Sequence, residues 1–77
     1  MNLYLISQEA NDGYDTYDSA IVCASSFDEA REINPSGHWG RGYSGWCATP
    51  SQVTVVKIGT ADDGVDPGVV LASFNAG

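Results

Sequence analysis

An α+β domain, built from a small, mainly antiparallel four-stranded sheet and one helix, is predicted by three features of this 77-residue sequence. Four short runs of apolar or β-branched residues are separated by turn-forming stretches, one helix-start signal falls between the second and third runs, and one long Gly/aromatic loop follows that helix. The element order is therefore β-β-α-β-β, and residues 1–77 form a single domain.

The first strand is expected over Asn2 to Gln8, where Leu3-Tyr4-Leu5-Ile6 gives aromatic and β-branched content from almost the first residue. Glu9 to Asp18 then reads as a loop, because Asn11-Asp12-Gly13 and two Tyr-Asp pairs supply side chains that bond their own backbone and a glycine that accepts positive φ. Ser19-Ala20-Ile21-Val22-Cys23-Ala24 follows as a nearly continuous apolar strand, suited to a central position in the sheet. Ser26-Phe27-Asp28-Glu29 matches a capping box: Ser26 takes an orphan amide, Glu29 reaches back to the cap, and two carboxylates sit at the positive end of the helix dipole. Phe27, Ala30 and Ile33 share one face of that helix, and Pro35 ends it after Asn34.

Residues 34 to 50 form the long connection, with glycines at 37, 40, 42 and 45 among His38, Trp39, Arg41, Tyr43 and Trp46. Loops of this length in compact domains are uncommon and usually functional or disordered, and aromatic richness argues against disorder. Thr49-Pro50-Ser51-Gln52 turns into a third strand, Val53 to Ile58, the clearest β-branched run in the chain. An acidic turn region from Gly59 to Gly68 leads to the fourth strand, Val69 to Phe74, in which Val70, Ala72 and Phe74 alternate onto one face and are assigned to the core.

Composition narrows the function. Ten acidic residues against Arg31, Arg41 and Lys57 give a formal charge of −7, which repels a nucleic-acid backbone and argues against direct DNA or RNA binding. No run approaches the ~18 apolar residues of a membrane span, and the N-terminus lacks a basic region followed by an apolar core, so a cytoplasmic setting is expected. Cys23 and Cys47 have no CxxC or Cys/His ligand spacing and are expected to be reduced thiols. A domain this small buries a modest fraction of its surface, so a homo-oligomer is expected.

The residues that carry chemistry point to binding rather than catalysis. The single histidine, His38, is the one neutral-pH base available to Cys47 or a serine, and no catalytic motif surrounds either. Asp12, Asp15 and Asp18, and separately Asp62, Asp63 and Asp66, do not match the calcium-loop pattern and are read as solvated turn residues, so no metal or other cofactor is expected. In the stretch from His38 to Trp46, glycines alternate with planar or cationic side chains, which suits a small planar anion: rings stack on a base while Arg41, helped by Arg31, pairs a phosphate. His38, Trp39, Arg41, Tyr43, Trp46 and Arg31 are therefore candidate ligand-binding residues. The competing reading makes Trp39, Tyr43 and Trp46 a mini-core beneath the loop. Tyr14, Asp15, Tyr17 and Asp18 form a candidate partner-binding segment, since exposed tyrosines favour interfaces; otherwise they pack the loop on the sheet edge.

The segments Tyr4 to Gln8, Gly13 to Ala20, Asp28 to Arg31 and Leu71 to Gly77 together resemble a group of short uncharacterised proteins of tailed bacteriophages. That resemblance implies a small non-enzymatic factor acting in the host bacterial cytoplasm, as an anti-defence or host-takeover protein. Two mechanisms are expected to compete. The first, ranked slightly ahead, is a homo-oligomeric sponge that sequesters a nucleotide-like signal. The second is an acidic inhibitor that occupies a basic surface of a host protein, as a nucleic-acid mimic does. A structural role is the third.

Overall fold

The computed structural model describes residues 1–11, 16–37, 39 and 45–75, the last as backbone. The chain forms strands β1 (Asn2–Ser7) and β2 (Thr16–Ala24), helix α1 (Phe27–Arg31), a 3₁₀ turn (Pro50–Gln52), and strands β3 (Thr54–Thr60) and β4 (Gly68–Asn75). The expected α+β architecture is present: four strands in the order β3-β1-β2-β4, every adjacent pair antiparallel. The two N-terminal strands are thus central, and the two C-terminal strands are the edges.

The apolar β2 run follows from this placement. On the helix side, Ala20, Val22 and Ala24 join Tyr4 and Ile6 of β1 in the buried core, which also contains Ala30 of α1 and Val53 at the entry to β3. Cys23 points the other way and is still buried, because Met1 and the β3–β4 loop close over it: its thiol lies 3.7 Å from Met1 Sδ and 3.9 Å from the Val65 carbonyl oxygen. β2 starts at Thr16, three residues before the expected Ser19, because Thr16 and Tyr17 pair with Asn75 and Phe74 of β4.

Helix α1 is shorter than predicted. Its amide cap is as expected, with Ser26 Oγ accepting from Glu29 N at 3.1 Å. The reciprocal bond differs: the Glu29 carboxylate takes the hydroxyl and amide of Ser25 at 2.6 and 3.3 Å rather than the Ser26 amide. The Ser25 hydroxyl bond, then the Ser25 amide bond, hold the Glu29 carboxyl below its ordinary pKa. The helix ends at Arg31, ahead of Asn34; Glu32 is its C-cap, and Arg31 Nη1 donates to the Val53 carbonyl. Ala30 is buried and Ile33 packs against the core as expected, while Phe27 stays about half exposed (48%) with its ring edge-on to Tyr4 at 5.0 Å.

Five helical residues cannot cover a four-stranded sheet, and the long connection supplies what is missing. Trp46 and Cys47 are fully buried against the helix-side face, and Trp39 packs beside them. The segment is pinned from both sides of the β1–β2 connection: Tyr17 N donates to Gly45 O at 2.6 Å and Asn11 Nδ2 to Trp46 O at 3.1 Å. The turn into β3 is held by Gln52 Oε1, which accepts from Ala48 N and Thr49 N. In β4, Ala72 packs against the core, but Val70 and Phe74 stay about half exposed, so the predicted burial of that face applies to Ala72 alone. The helix reaches β1, β2 and β3 and leaves β4 as the less protected edge.

Replacement of Trp46 by alanine should cost about 3–5 kcal/mol, the range for deleting a large buried aromatic. Ser26→Ala should cost about 1 kcal/mol through the lost cap. Urea denaturation followed by tryptophan fluorescence for Ser26→Ala and by circular dichroism for Trp46→Ala measures both.

Candidate binding surfaces

The antiparallel register sorts the loops to the two ends of the sheet. Ser7 pairs with Ser19 and with Thr54, so the β1–β2 connection, the entry to β3 and the C-terminus of β4 share one end. Asn2 pairs with Ala24 and Thr60, which puts the start of α1 and the acidic β3–β4 loop at the other.

The predicted ligand-binding residues divide. Trp46 is 1% exposed and part of the core, where no ligand can stack on it. Trp39 is half-buried against the same core. Arg31 spends its guanidinium on the Val53 carbonyl, tying the end of α1 to the entry of β3. His38, Arg41 and Tyr43 lie outside the described residues. The two tryptophans pack with the helix-side core; Tyr43, the third ring of the mini-core alternative, lies outside the described residues.

In the predicted partner-binding segment, Tyr17 is half-buried against the core, its ring 4.8 Å from that of Phe74. Asp18 is exposed and is the extra residue of a bulge, since Tyr17 pairs with Phe74 and Ser19 with Ser73; its Oδ1 accepts from Ser19 Oγ at 3.3 Å. Tyr14 and Asp15 lie outside the described residues. The structure brings this segment beside the other candidate loop, through the Tyr17–Gly45 and Asn11–Trp46 bonds.

A residue that sequence reasoning missed organises this end. Gln8 is buried, and its side-chain amide donates to the carbonyls of Asn11 and Tyr17 at 2.8 and 2.9 Å while its oxygen accepts from Asn11 N at 2.8 Å. It clamps both ends of the β1–β2 connection. Nothing in the sequence distinguishes a clamping glutamine from a solvated one, because its partners are backbone groups brought near by the register.

Beside Gln8 lies an open depression of about 570 Å³, lined by Ser7, Glu9, Asp18, Ser19, Gln52 and Thr54 among others. Hydroxyls, amides and two exposed carboxylates line it, with no cation among the described residues. That lining repels an anion and suits a lysine or arginine side chain. The wider surface has the same sign. All eight described carboxylates, Glu9, Asp18, Asp28, Glu29, Glu32, Asp62, Asp63 and Asp66, are exposed, and among the described residues none is in an ion pair.

The cysteines do not form a reactive pair. Both are free and buried. Burial pushes the Cys47 thiol above its ordinary pKa, against the smaller opposing effects of backbone hydrogen bonding at Cys47 and Thr49, so the thiolate is scarce at neutral pH. No group of three or more metal-ligating side chains occurs among the described residues, and no helix there is long and apolar enough to cross a membrane. Iodoacetamide should therefore modify Cys47 in the folded protein at pH 7 at least about ten-fold more slowly than in urea, as read by mass spectrometry of the Cys47 peptide.

Compared with known proteins, the chain matches no family model, no protein of curated function and no solved structure.

Proposed function

We propose that this protein is a non-enzymatic acidic inhibitor that docks on a basic surface of a host protein, with the depression beside Gln8 receiving a cationic side chain. The observation that carries this reading is the charge pattern of that depression: Glu9 and Asp18 rim it, and no described cation neutralises them. Exposed carboxylates outside ion pairs raise the on-rate for a basic surface. The phage-like setting implied by the sequence agrees with a small soluble factor of this kind, made to compete with nucleic acid for a host protein.

Sequestration of a nucleotide-like anion is the second reading. It is favoured by Trp39, which keeps part of its surface open at the base of the segment running to Gly45. It rests otherwise on His38, Arg41 and Tyr43, because Trp46 and Arg31 are committed to the core and to Val53.

Host-lysate capture followed by titration of the purified partner separates the two. The inhibitor reading expects a partner whose binding falls steeply with salt, is competed by nucleic acid, and weakens at least about ten-fold in the double variant Glu9→Gln/Asp18→Asn. Trp39→Ala/Arg41→Ala should retain that binding. A thermal shift with a cyclic nucleotide that disappears in Trp39→Ala/Arg41→Ala, with capture indifferent to the Glu9 and Asp18 changes, would replace the inhibitor by the sponge.

A further inference from the structure

The face of the sheet opposite α1 is closed at one end and open at the other. Met1 and the β3–β4 loop close over Cys23, whose row across the sheet is Gly59, Leu3, Cys23 and Gly68. The next row, Val56, Leu5, Ile21 and Leu71, is aliphatic and uncovered by any described element, with Leu71 66% exposed and Leu5 37%. A shallow groove of about 350 Å³ runs between Leu5, Ile21 and Leu71 and reaches Ser19 and Ser73 of the row beyond, which is made of hydroxyls: Thr54, Ser7, Ser19 and Ser73. Ser19 also lines the acidic depression beside Gln8, and its hydroxyl donates to Asp18 Oδ1 at 3.3 Å, so groove and depression meet at this residue.

We infer that groove and depression together bind one extended segment of a basic partner protein, with a cationic side chain entering the depression and an aliphatic side chain two residues away entering the groove. This inference rests on the inhibitor reading and names the segment that the depression takes. Three observations select the occupant. The cationic half follows from charge: Glu9 and Asp18 rim the depression, while Lys57, the cation of β3, pairs with Tyr4 and so belongs to the helix-side face. The aliphatic half follows from the row of Leu5, Ile21 and Leu71, which carries no ionisable group and stays wet beneath a partner that supplies charge alone. The spacing follows from the rows themselves. They lie two residues apart along each strand, about 6.8 Å, which is also the distance between side chains i and i+2 on one face of an extended chain laid along the strands.

The open area suits a segment and not a subunit. Four strands about 4.8 Å apart and two open rows about 6.8 Å apart make a footprint of roughly 250 Å², well below the ~800 Å² that each side of a standard protein interface buries. The segment alone therefore binds weakly, and its contribution is selectivity. Carboxylates attract any basic surface, whereas the groove favours one in which an aliphatic side chain stands two residues from the cation.

Titration of isotope-labelled protein with millimolar peptides blocked at both ends, followed by amide chemical shifts, tests it. The better of Arg-Gly-Leu and Leu-Gly-Arg should shift Glu9, Asp18, Leu5 and Leu71 and bind at least about five-fold more tightly than Arg-Gly-Gly, the gain expected from partial burial of a leucine. Arg-Leu-Gly, whose leucine faces away from the sheet when the arginine faces it, and Glu-Gly-Leu, which reverses the charge, should bind no better than Arg-Gly-Gly. Leu71→Ser should remove the leucine gain and keep arginine binding, and Glu9→Gln/Asp18→Asn should weaken every arginine peptide. Spectral dispersion verifies that each variant is folded, and Leu71→Ala replaces Leu71→Ser if that variant is not. Equal binding of arginine peptides with and without leucine, or a leucine gain indifferent to the folded Leu71 variant, overturns the inference and leaves the inhibitor reading standing. Absence of any arginine-dependent shift at Glu9 and Asp18 overturns both.

Discussion

The mismatch between a four-stranded sheet and a five-residue helix governs this molecule. A helix of that length spans about 7.5 Å, far less than the width of the sheet it must cover. The remaining apolar surface of β1 and β2 is closed by side chains from irregular chain, chiefly Trp46 and Cys47 with Trp39 beside them. Loop backbone brought into a core carries polar groups that need partners. Two such carbonyls, those of Gly45 and Trp46, find them on Tyr17 and Asn11. Core, long connection and β1–β2 connection are therefore a single unit, and Gln8 locks it from the sheet side.

The extent to which this was legible in the sequence follows the range of the forces involved. Strand identity and the Ser26 cap are set by neighbours within a few residues, and each strand lies within three residues of its expected bounds. Helix length was less legible, because the pattern Phe27, Ala30, Ile33 is compatible with two turns, whereas tertiary contacts of Arg31 with Val53 close the helix after one and a half. The exposure of Val70 and Phe74 was illegible for a related reason: alternation marks a face, but only strand order reveals that the face belongs to an edge beyond the reach of the helix.

The candidate site separates in the same way. Trp46 and Arg31 are residue types shared by ligand pockets and small cores, and composition alone does not distinguish a ring stacked on a ligand from one packed inside a core. Burial does. Asp18 retained its exposure because a bulge in β2 turns it out of the ladder.

The strand order also dictates how the chain must assemble in time. β1 and β2 are neighbours in sequence and form the centre of the sheet, whereas β3 joins β1 and β4 joins β2 across roughly fifty intervening residues. Contacts of such high sequence separation pay their loop-closure entropy late, which makes them the slow events of folding. During synthesis the central hairpin emerges with both of its flanks bare; β3 then becomes available to the β1 flank, and the β2 flank waits longer, for β4.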